Sequence, residues 1–159
     1  SIKVVISNDL NHHVDPTVNK ILQNEESIGL YSPKIWTDFR LNVEKTKKDL
    51  VSLLTEIKSN GKSVVGNSCP GRCSTLINYC NIGTDLIPYI AEQPTSLKLG
   101  KFLPGKHIPI VNNSKLSEDQ PDYILLLAWH LKEPIIKYLR EKGIKSSFIV
   151  PLPEVEVIN

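Results

Sequence analysis

The sequence contains no methionine, only three cysteines and few aromatic residues. Its longest apolar run, residues 123–129, is far shorter than the roughly 20 residues that a membrane-spanning helix needs. Charge of one sign is also lacking, since 19 Lys and Arg residues face 17 Asp and Glu residues for a net charge of +2. That balance is too weak to indicate a nucleic-acid partner, so we expect neither a membrane protein nor a nucleic-acid-binding protein.

The missing methionine suggests a processed or excised chain. The sequence begins at Ser1 and enters an apolar alternation at once, with no charged segment, long apolar segment or small-residue cleavage site of a secretory signal. We therefore expect a piece of a longer protein. Three cysteines are an odd number, and without a signal peptide they indicate reduced thiols in the cytoplasm.

The overall composition is that of an ordinary globular domain. Of the 159 residues, 40% are hydrophobic and 23% are charged. A chain of this length can bury about 70% of the surface of its unfolded state, so it needs neither a metal nor a disulfide to fold.

The first 60 residues predict one strand and two helices. The alternation over residues 1–7 is typical of a strand. Asp15-Pro16 predicts the start of a short helix that ends near Gly29, and Ser32-Pro33 begins a longer helix that ends at Asn60-Gly61. Apolar residues follow one stripe along this longer helix, so we expect it to pack on its own domain, with an intermolecular coiled coil as the alternative. The stripe consists of Trp36, Phe39, Val43, Leu50, Leu53 and Ile57.

After Gly61 the hydrophobic period changes, and short apolar segments alternate with helical ones. We predict strands at residues 63–66, 86–91, 107–111, 123–128 and 147–150, and helices at 74–80 and 131–142. Strands this apolar are buried on both faces. The fold class is therefore α/β, a mainly parallel sheet flanked by helices. Residues 61–159 form the core, and residues 1–60 pack on it as an extra strand and long helix.

The turn after the first core strand is the most informative candidate site. Ligands of such sheets collect at the carboxyl ends of the strands, where a loop that leads into a helix presents backbone N–H groups to an anion. This loop contains Gly66, Ser68, Gly71, Arg72 and Ser74, and Arg72 offers a guanidinium fork for a phosphate. It matches neither G-x-G-x-x-G nor a P-loop, so a plain connection with a surface arginine is the alternative.

Other candidates lie at neighbouring strand ends. Glu92 could accept a ribose hydroxyl, with a solvated glutamate as the alternative. His130, next to Trp129, could contact a ligand, with a structural or solvated histidine as the alternative. The loop before residue 107 is basic and could cover an anionic substrate, or could simply be solvated. Its charged residues are Lys98, Lys101, Lys106 and His107.

The residues show no metal site and no catalytic residue. Neither the cysteines nor the histidines have metal-ligand spacing, and we expect Cys69, Cys73 and Cys80 to be buried as small apolar residues. No activated nucleophile and no acid and base pair stand out.

Three segments, in this order, carry a resemblance to a known family. They are Gly66–Cys80, Gly100–Ile110 and Pro121–Lys132. Together they resemble the C-terminal domain of the S-adenosylmethionine-dependent sugar C-methyltransferases, and the resemblance covers essentially the whole chain. The family loop usually has glycine, lysine, glycine and asparagine where this sequence has Ser68, Arg72, Cys73 and Ser74, and it often has asparagine at His130.

The resemblance implies a Rossmann-like α/β domain on the substrate side of a larger enzyme. In that family a zinc-binding domain and a central domain precede this one; the central domain binds S-adenosylmethionine and supplies the catalytic base, and a nucleotide-linked sugar lies between the central and C-terminal domains. Residues 1–7 would then be the last strand of the missing central domain. We expect no methyltransferase activity and no cofactor in this chain alone. The candidate substrate-binding residues are Ser68, Gly71, Arg72, Ser74, Asn78, Glu92, Lys101, His107, Trp129 and His130.

A second hypothesis belongs to a different class. The chain could be a nucleotide- or anion-binding or scaffold module that kept the fold and lost catalytic association. The departures from the family pattern at Ser68, Cys73 and His130 favour this alternative.

Overall fold

A computed structural model describes residues 3–9 and 11–159. The chain divides into two compact units, Ser1–Asn42 and Val43–Asn159. The elements, in chain order, are α1 (Pro16–Ser27), α2 (Pro33–Ser59), β1 (Val64–Asn67), α3 (Cys73–Tyr79), β2 (Ile90–Glu92), β3 (Ile110–Asn112), α4 (Ser114–Asp119), β4 (Tyr123–Leu126), α5 (Lys132–Glu141), β5 (Ser147–Val150) and β6 (Glu156–Ile158).

The first unit contains α1 and the beginning of α2. The side chain of Asp15 caps α1 by accepting a hydrogen bond from the Thr17 N–H at 2.8 Å, as the Asp-Pro start predicts. The strand predicted over residues 1–7 is not formed within its described part, residues 3–7. A strand needs a partner for its backbone groups, and here Val4, Val5 and Ile6 are all exposed.

The long helix α2 has the predicted bounds but buries only part of its apolar stripe. Leu50 and Ile57 of the stripe are buried, as is Leu54 beside it, whereas Trp36 and Phe39 are 58% and 62% exposed. The stripe therefore packs as predicted only over the C-terminal half of the helix.

The second unit is built on one six-stranded sheet in the order β3-β2-β1-β4-β5-β6. The first five strands in this order pair in parallel, and β6 pairs antiparallel with β5. This confirms the α/β class with a mainly parallel sheet. β3 lies at one edge, as the proline next to it predicts.

The core has two layers, one on each face of the sheet. Alternate strand residues point to opposite faces, so Val64 packs with α2 and α3, whereas Val65 packs with α4 and α5. Leu50 and Ile77 are fully buried in the first layer, and Leu116 is fully buried in the second. Strands covered on both faces explain the continuous apolar runs in the sequence.

Three elements are absent from the sequence prediction: α4, β6 and a short 3₁₀ helix at Trp129–Leu131. α4 has only six residues, too few to show a helical period, and β6 is a three-residue edge strand. β2 is also shorter than predicted, because residues 84–86 form a turn and Pro88 cannot donate a ladder hydrogen bond.

Candidate functional site

The candidate site lies at the carboxyl ends of β1 and β4. These strands are neighbours, with Asn67 paired to Leu126, and the chain continues from them to opposite sides of the sheet. Such a reversal of strand order opens a crevice between the two loops that follow the strands. The Leu127 N–H donates to the Asn67 carbonyl at 3.0 Å, so the two loops begin side by side.

The loop after β1 makes a sharp turn at its first residue. Ser68 has φ of +65°, in the left-handed region that glycine prefers, and this explains why a glycine is expected at that position. Its N–H donates to the Ala91 carbonyl at 2.8 Å, and its hydroxyl lies 3.1 Å from the Asn67 side-chain oxygen. Asn67 itself is buried. The loop therefore leaves the sheet in a fixed direction.

Glu92 and Lys98 hold the next residue from both sides. The Cys69 N–H donates to Glu92 Oε2 at 2.8 Å, and the Lys98 ammonium donates to the Cys69 carbonyl. The other carboxylate oxygen of Glu92 accepts from the Gln93 N–H at 2.9 Å. Glu92 thus bonds the loop backbone in this structure, and its predicted contact with a ribose remains a prediction.

The outer part of the loop presents its polar groups to solvent. Gly71 and Arg72 are exposed, and within the described residues the Arg72 guanidinium has no hydrogen-bond or ion-pair partner. The Ser74 hydroxyl donates to the Gly71 carbonyl at 2.9 Å, which closes the turn into α3. An unpartnered guanidinium beside small residues is suited to binding an oxyanion.

The thiols of Cys69 and Cys73 lie 3.7 Å apart beneath this loop. Both residues are buried, as is Cys80, which confirms their predicted burial. The hydrogen bond between the two thiols lowers the pKa of Cys69, and the charge of Lys98 lowers it further against the effect of burial. The same hydrogen bond, together with burial, raises the pKa of Cys73.

Asn78 connects α3 to the long basic loop. Its amide donates to the Ser74 carbonyl at 2.8 Å and to the Pro104 carbonyl at 3.0 Å. Gly105 has φ of +91°, and a Cβ atom there would lie 2.0 Å from the Asn78 side-chain oxygen, so glycine is required for this contact. Asn78 therefore anchors the basic loop; direct contact with a substrate remains a prediction for this residue.

The other predicted residues lie on the two flanking loops. Lys101 and His107 are exposed on the basic loop, and the His107 N–H donates to the Leu103 carbonyl at 2.9 Å. Trp129 is half-buried and His130 is exposed in the turn after β4, with their rings packed edge to face at 6.3 Å. Within the described residues, none of these four side chains makes a hydrogen bond, ion pair or ring contact with the loop after β1.

Two residues that the candidate list omits belong to the site. Asn67 ends β1 and lies against Ser68, and Lys98 binds the Cys69 carbonyl. Asn67 could have been found from its position at the end of a buried strand. Lys98 is one of several lysines in a basic loop, and only the folded structure distinguishes it from the others.

A separate open cavity of about 560 Å³ lies at the other end of the strands, away from the candidate site. It is formed at the amino ends of β4 and β5, and Lys62, Asp122 and Lys145 are among its lining residues. The Asp122 carboxylate accepts from both the N–H and the hydroxyl of Ser63 at 2.9 Å. These hydrogen bonds lower the pKa of Asp122, and its role in the fold is to connect β1 and β4.

The described residues form neither a metal-binding cluster nor a membrane-spanning helix. No group of three or more metal-ligating side chains is clustered in residues 3–9 and 11–159. Over the same residues, no helix has the length and apolar character to cross a membrane.

Sheet order and reversal point together define a doubly wound α/β domain, with the loop after β1 at the reversal point. Comparison with known proteins makes this more specific. A family model described as the C-methyltransferase C-terminal domain matches residues 1–153, so the chain belongs to that family. The chain is 35% identical over 151 residues to the C-methyltransferase NovU of Streptomyces niveus.

The coverage of the two chains differs. The match takes in 93% of this chain but only 35% of the relative, so this chain spans about a third of the length of the curated relative that it matches. Membership of the family confirms the resemblance drawn from the three sequence segments.

Proposed function

We propose that this chain is the substrate-side domain of an S-adenosylmethionine-dependent C-methyltransferase that acts on a nucleotide-linked sugar. The observation that carries the proposal is the crevice between β1 and β4, because the loops on its two sides contain two of the three segments that resemble the family. The diphosphate of the substrate would bind at residues 68–74, with Arg72 as its charged contact. The sugar would extend toward Trp129 and His130.

The methyl donor would bind outside this chain. In this chain the acid at the end of β2 is Glu92, and each of its oxygens accepts a hydrogen bond from a backbone N–H. The match to the C-methyltransferase NovU takes in only 35% of that protein, which is consistent with a donor-binding domain elsewhere in such an enzyme. We infer that the donor and the catalytic base belong to further domains of the same enzyme, and that the chain alone transfers no methyl group. Three unpaired buried thiols support a reducing, cytoplasmic location.

Within this proposal the chain's own residues bind and orient. Glu92 and Lys98 fix the backbone of Cys69, so the N–H groups of the following turn are presented without reorganisation when an anion arrives. The contact from Asn78 to Pro104 keeps the basic loop beside this turn. The positive charges of Lys101 and Arg72 would offset those of a diphosphate.

Calorimetry tests the proposal. We expect thymidine diphosphate or uridine diphosphate to bind the chain, and Arg72→Ala to weaken the affinity at least about tenfold, since a hydrogen-bonded charge contributes about 1.5 kcal/mol or more. Lys145→Ala also removes one positive charge, but from the cavity at the amino ends of β4 and β5, and should leave the affinity unchanged. Absence of binding at millimolar ligand, or an equal loss in both variants, would contradict it.

A second candidate function is a scaffold module that no longer binds a ligand. It is favoured by one observation, that the N–H and the carbonyl of Cys69 are both used within the protein. It predicts no heat of binding with either nucleotide, and the same titration therefore separates the two functions.

A further inference from the structure

The thiols of Cys69 and Cys73 form a pair that the binding proposal does not use. Their sulfur atoms are 3.7 Å apart, and Cys80 is a third buried thiol on the same chain. A disulfide has an S–S distance of about 2.05 Å, so the two sulfurs need to approach by only about 1.7 Å. Cys69 lies in a loop, so this approach requires no change in a strand of the sheet.

We propose that Cys69 and Cys73 are a redox modification site, a dithiol that a disulfide oxidant such as glutathione disulfide converts reversibly to an intramolecular disulfide. This inference concerns the two sulfurs alone and does not depend on the proposed substrate. The ring that the link closes contains residues 70–72, the segment that carries Arg72.

The environment assigns different roles to the two sulfurs. The hydrogen bond between the two thiols and the nearby Lys98 ammonium lower the pKa of Cys69, so its thiolate is the attacking form. Cys69 is also the more accessible, at 5% exposure against 0% for Cys73. The raised pKa of Cys73 favours its reduced, protonated form until Cys69 has reacted.

The reaction proceeds by two thiol–disulfide exchanges. The Cys69 thiolate attacks one sulfur of glutathione disulfide, forms a mixed disulfide and releases one glutathione thiolate. That thiolate accepts the proton of Cys73, and the Cys73 sulfur then attacks the Cys69 sulfur and expels the second glutathione. The protein loses two electrons and two protons, and one glutathione disulfide is reduced to two glutathione thiols.

Thiol counting on the whole chain tests this first. In denaturant the reduced chain should show three free thiols, and after incubation with glutathione disulfide it should show one, with all three restored by dithiothreitol. A count that stays at three, or falls to zero, would overturn the proposal.

Peptide mapping then identifies the pair. Trypsin cleaves between the two cysteines after Arg72, and chymotrypsin separates Cys73 from Cys80 after Tyr79. The oxidised chain should yield the Cys69 and Cys73 peptides joined, with Cys80 free. A link that includes Cys80 would contradict the assignment.

Two variants complete the test. Cys80→Ala should oxidise like the natural chain, from two free thiols to none. Cys73→Ala should stop at the glutathione adduct on Cys69, and an unmodified Cys69 in that variant would refute its role as the attacking thiol. If Cys73→Ala does not fold, the peptide map of the natural chain decides the pairing alone.

Discussion

Replacing Glu92 should release the loop on which ligand binding is proposed to depend. Its two carboxylate oxygens accept from the N–H groups of Cys69 and Gln93, at 2.8 and 2.9 Å. Cys69, on the loop after β1, is buried, whereas Gln93 is exposed to solvent. Truncation to alanine therefore leaves one buried donor without an acceptor and one donor that water can satisfy.

The magnitude follows from this difference. A hydrogen bond to a charged group contributes about 1.5–3 kcal/mol, and an exposed N–H regains most of this from water. We expect Glu92→Ala to lower the free energy of unfolding by about 2 kcal/mol. Glu92→Gln keeps one acceptor oxygen but places an amide N–H₂ against the other donor, so we expect a loss of about 1 kcal/mol.

Urea unfolding followed by circular dichroism measures this loss. With a slope of about 2 kcal/mol per molar urea, Glu92→Ala should lower the midpoint by about 1 M. Glu141→Ala, at an exposed position near the end of α5, is the control and should change stability by less than about 0.5 kcal/mol. If Glu92→Ala unfolded at the same urea concentration as Glu141→Ala, the inference that this carboxylate holds the loop would be wrong.

Three further predictions concern the sheet that carries the site. Gly66→Ala places a Cβ atom 2.9 Å from Ile90 Cγ1, so we expect a loss of about 1–3 kcal/mol in urea unfolding, and a loss below 0.5 kcal/mol would contradict the close packing. Phe148→Ala leaves a cavity at a fully buried site and should lower the free energy of unfolding by about 3–5 kcal/mol in the same assay. Little change in this free energy would contradict tight packing around Phe148. Asp122→Asn weakens the acceptor for Ser63; because the pKa of Asp122 is lowered by folding, its stabilisation is present above about pH 4 and disappears as pH falls through the folded value. The variant should therefore be less stable than the natural chain at pH 7 and converge with it in acid, and parallel pH profiles of the melting temperature would refute the role of this carboxylate.

Much of the fold could be predicted because the strands are buried on both faces. Their apolar runs, together with helix starts such as Asp15-Pro16 and Ser32-Pro33, reflect local rules that the folded chain obeys. The strand at residues 1–7 has the right alternation but is not formed over its described part, because alternation gives a segment the ability to pair and does not provide a partner strand. α4 escaped prediction because six residues show no period.

A sequence rule predicts the position of the candidate site, whereas no sequence rule predicts the contacts within it. The rule that ligands of parallel sheets bind at the carboxyl ends of the strands indicates the loop after β1. Ser68 in this loop has a left-handed backbone conformation, at a position where the family usually has glycine. No sequence rule shows that Glu92 would bond a loop N–H 23 residues away, or that Lys98 would reach the Cys69 carbonyl. Such contacts depend on how the loops fold over the sheet.

The most direct measurement is an amide chemical-shift map of the isotope-labelled chain titrated with a nucleotide-linked sugar, thymidine diphosphate glucose. If the crevice between β1 and β4 binds the substrate, the perturbed amides should cluster at residues 66–74 and 127–131, and the perturbations there should decrease in Arg72→Ala. Perturbations confined to residues 120–123 and 145–147, which line the cavity at the amino ends of β4 and β5, would contradict binding in the crevice. No perturbation at millimolar ligand would contradict the proposed function itself.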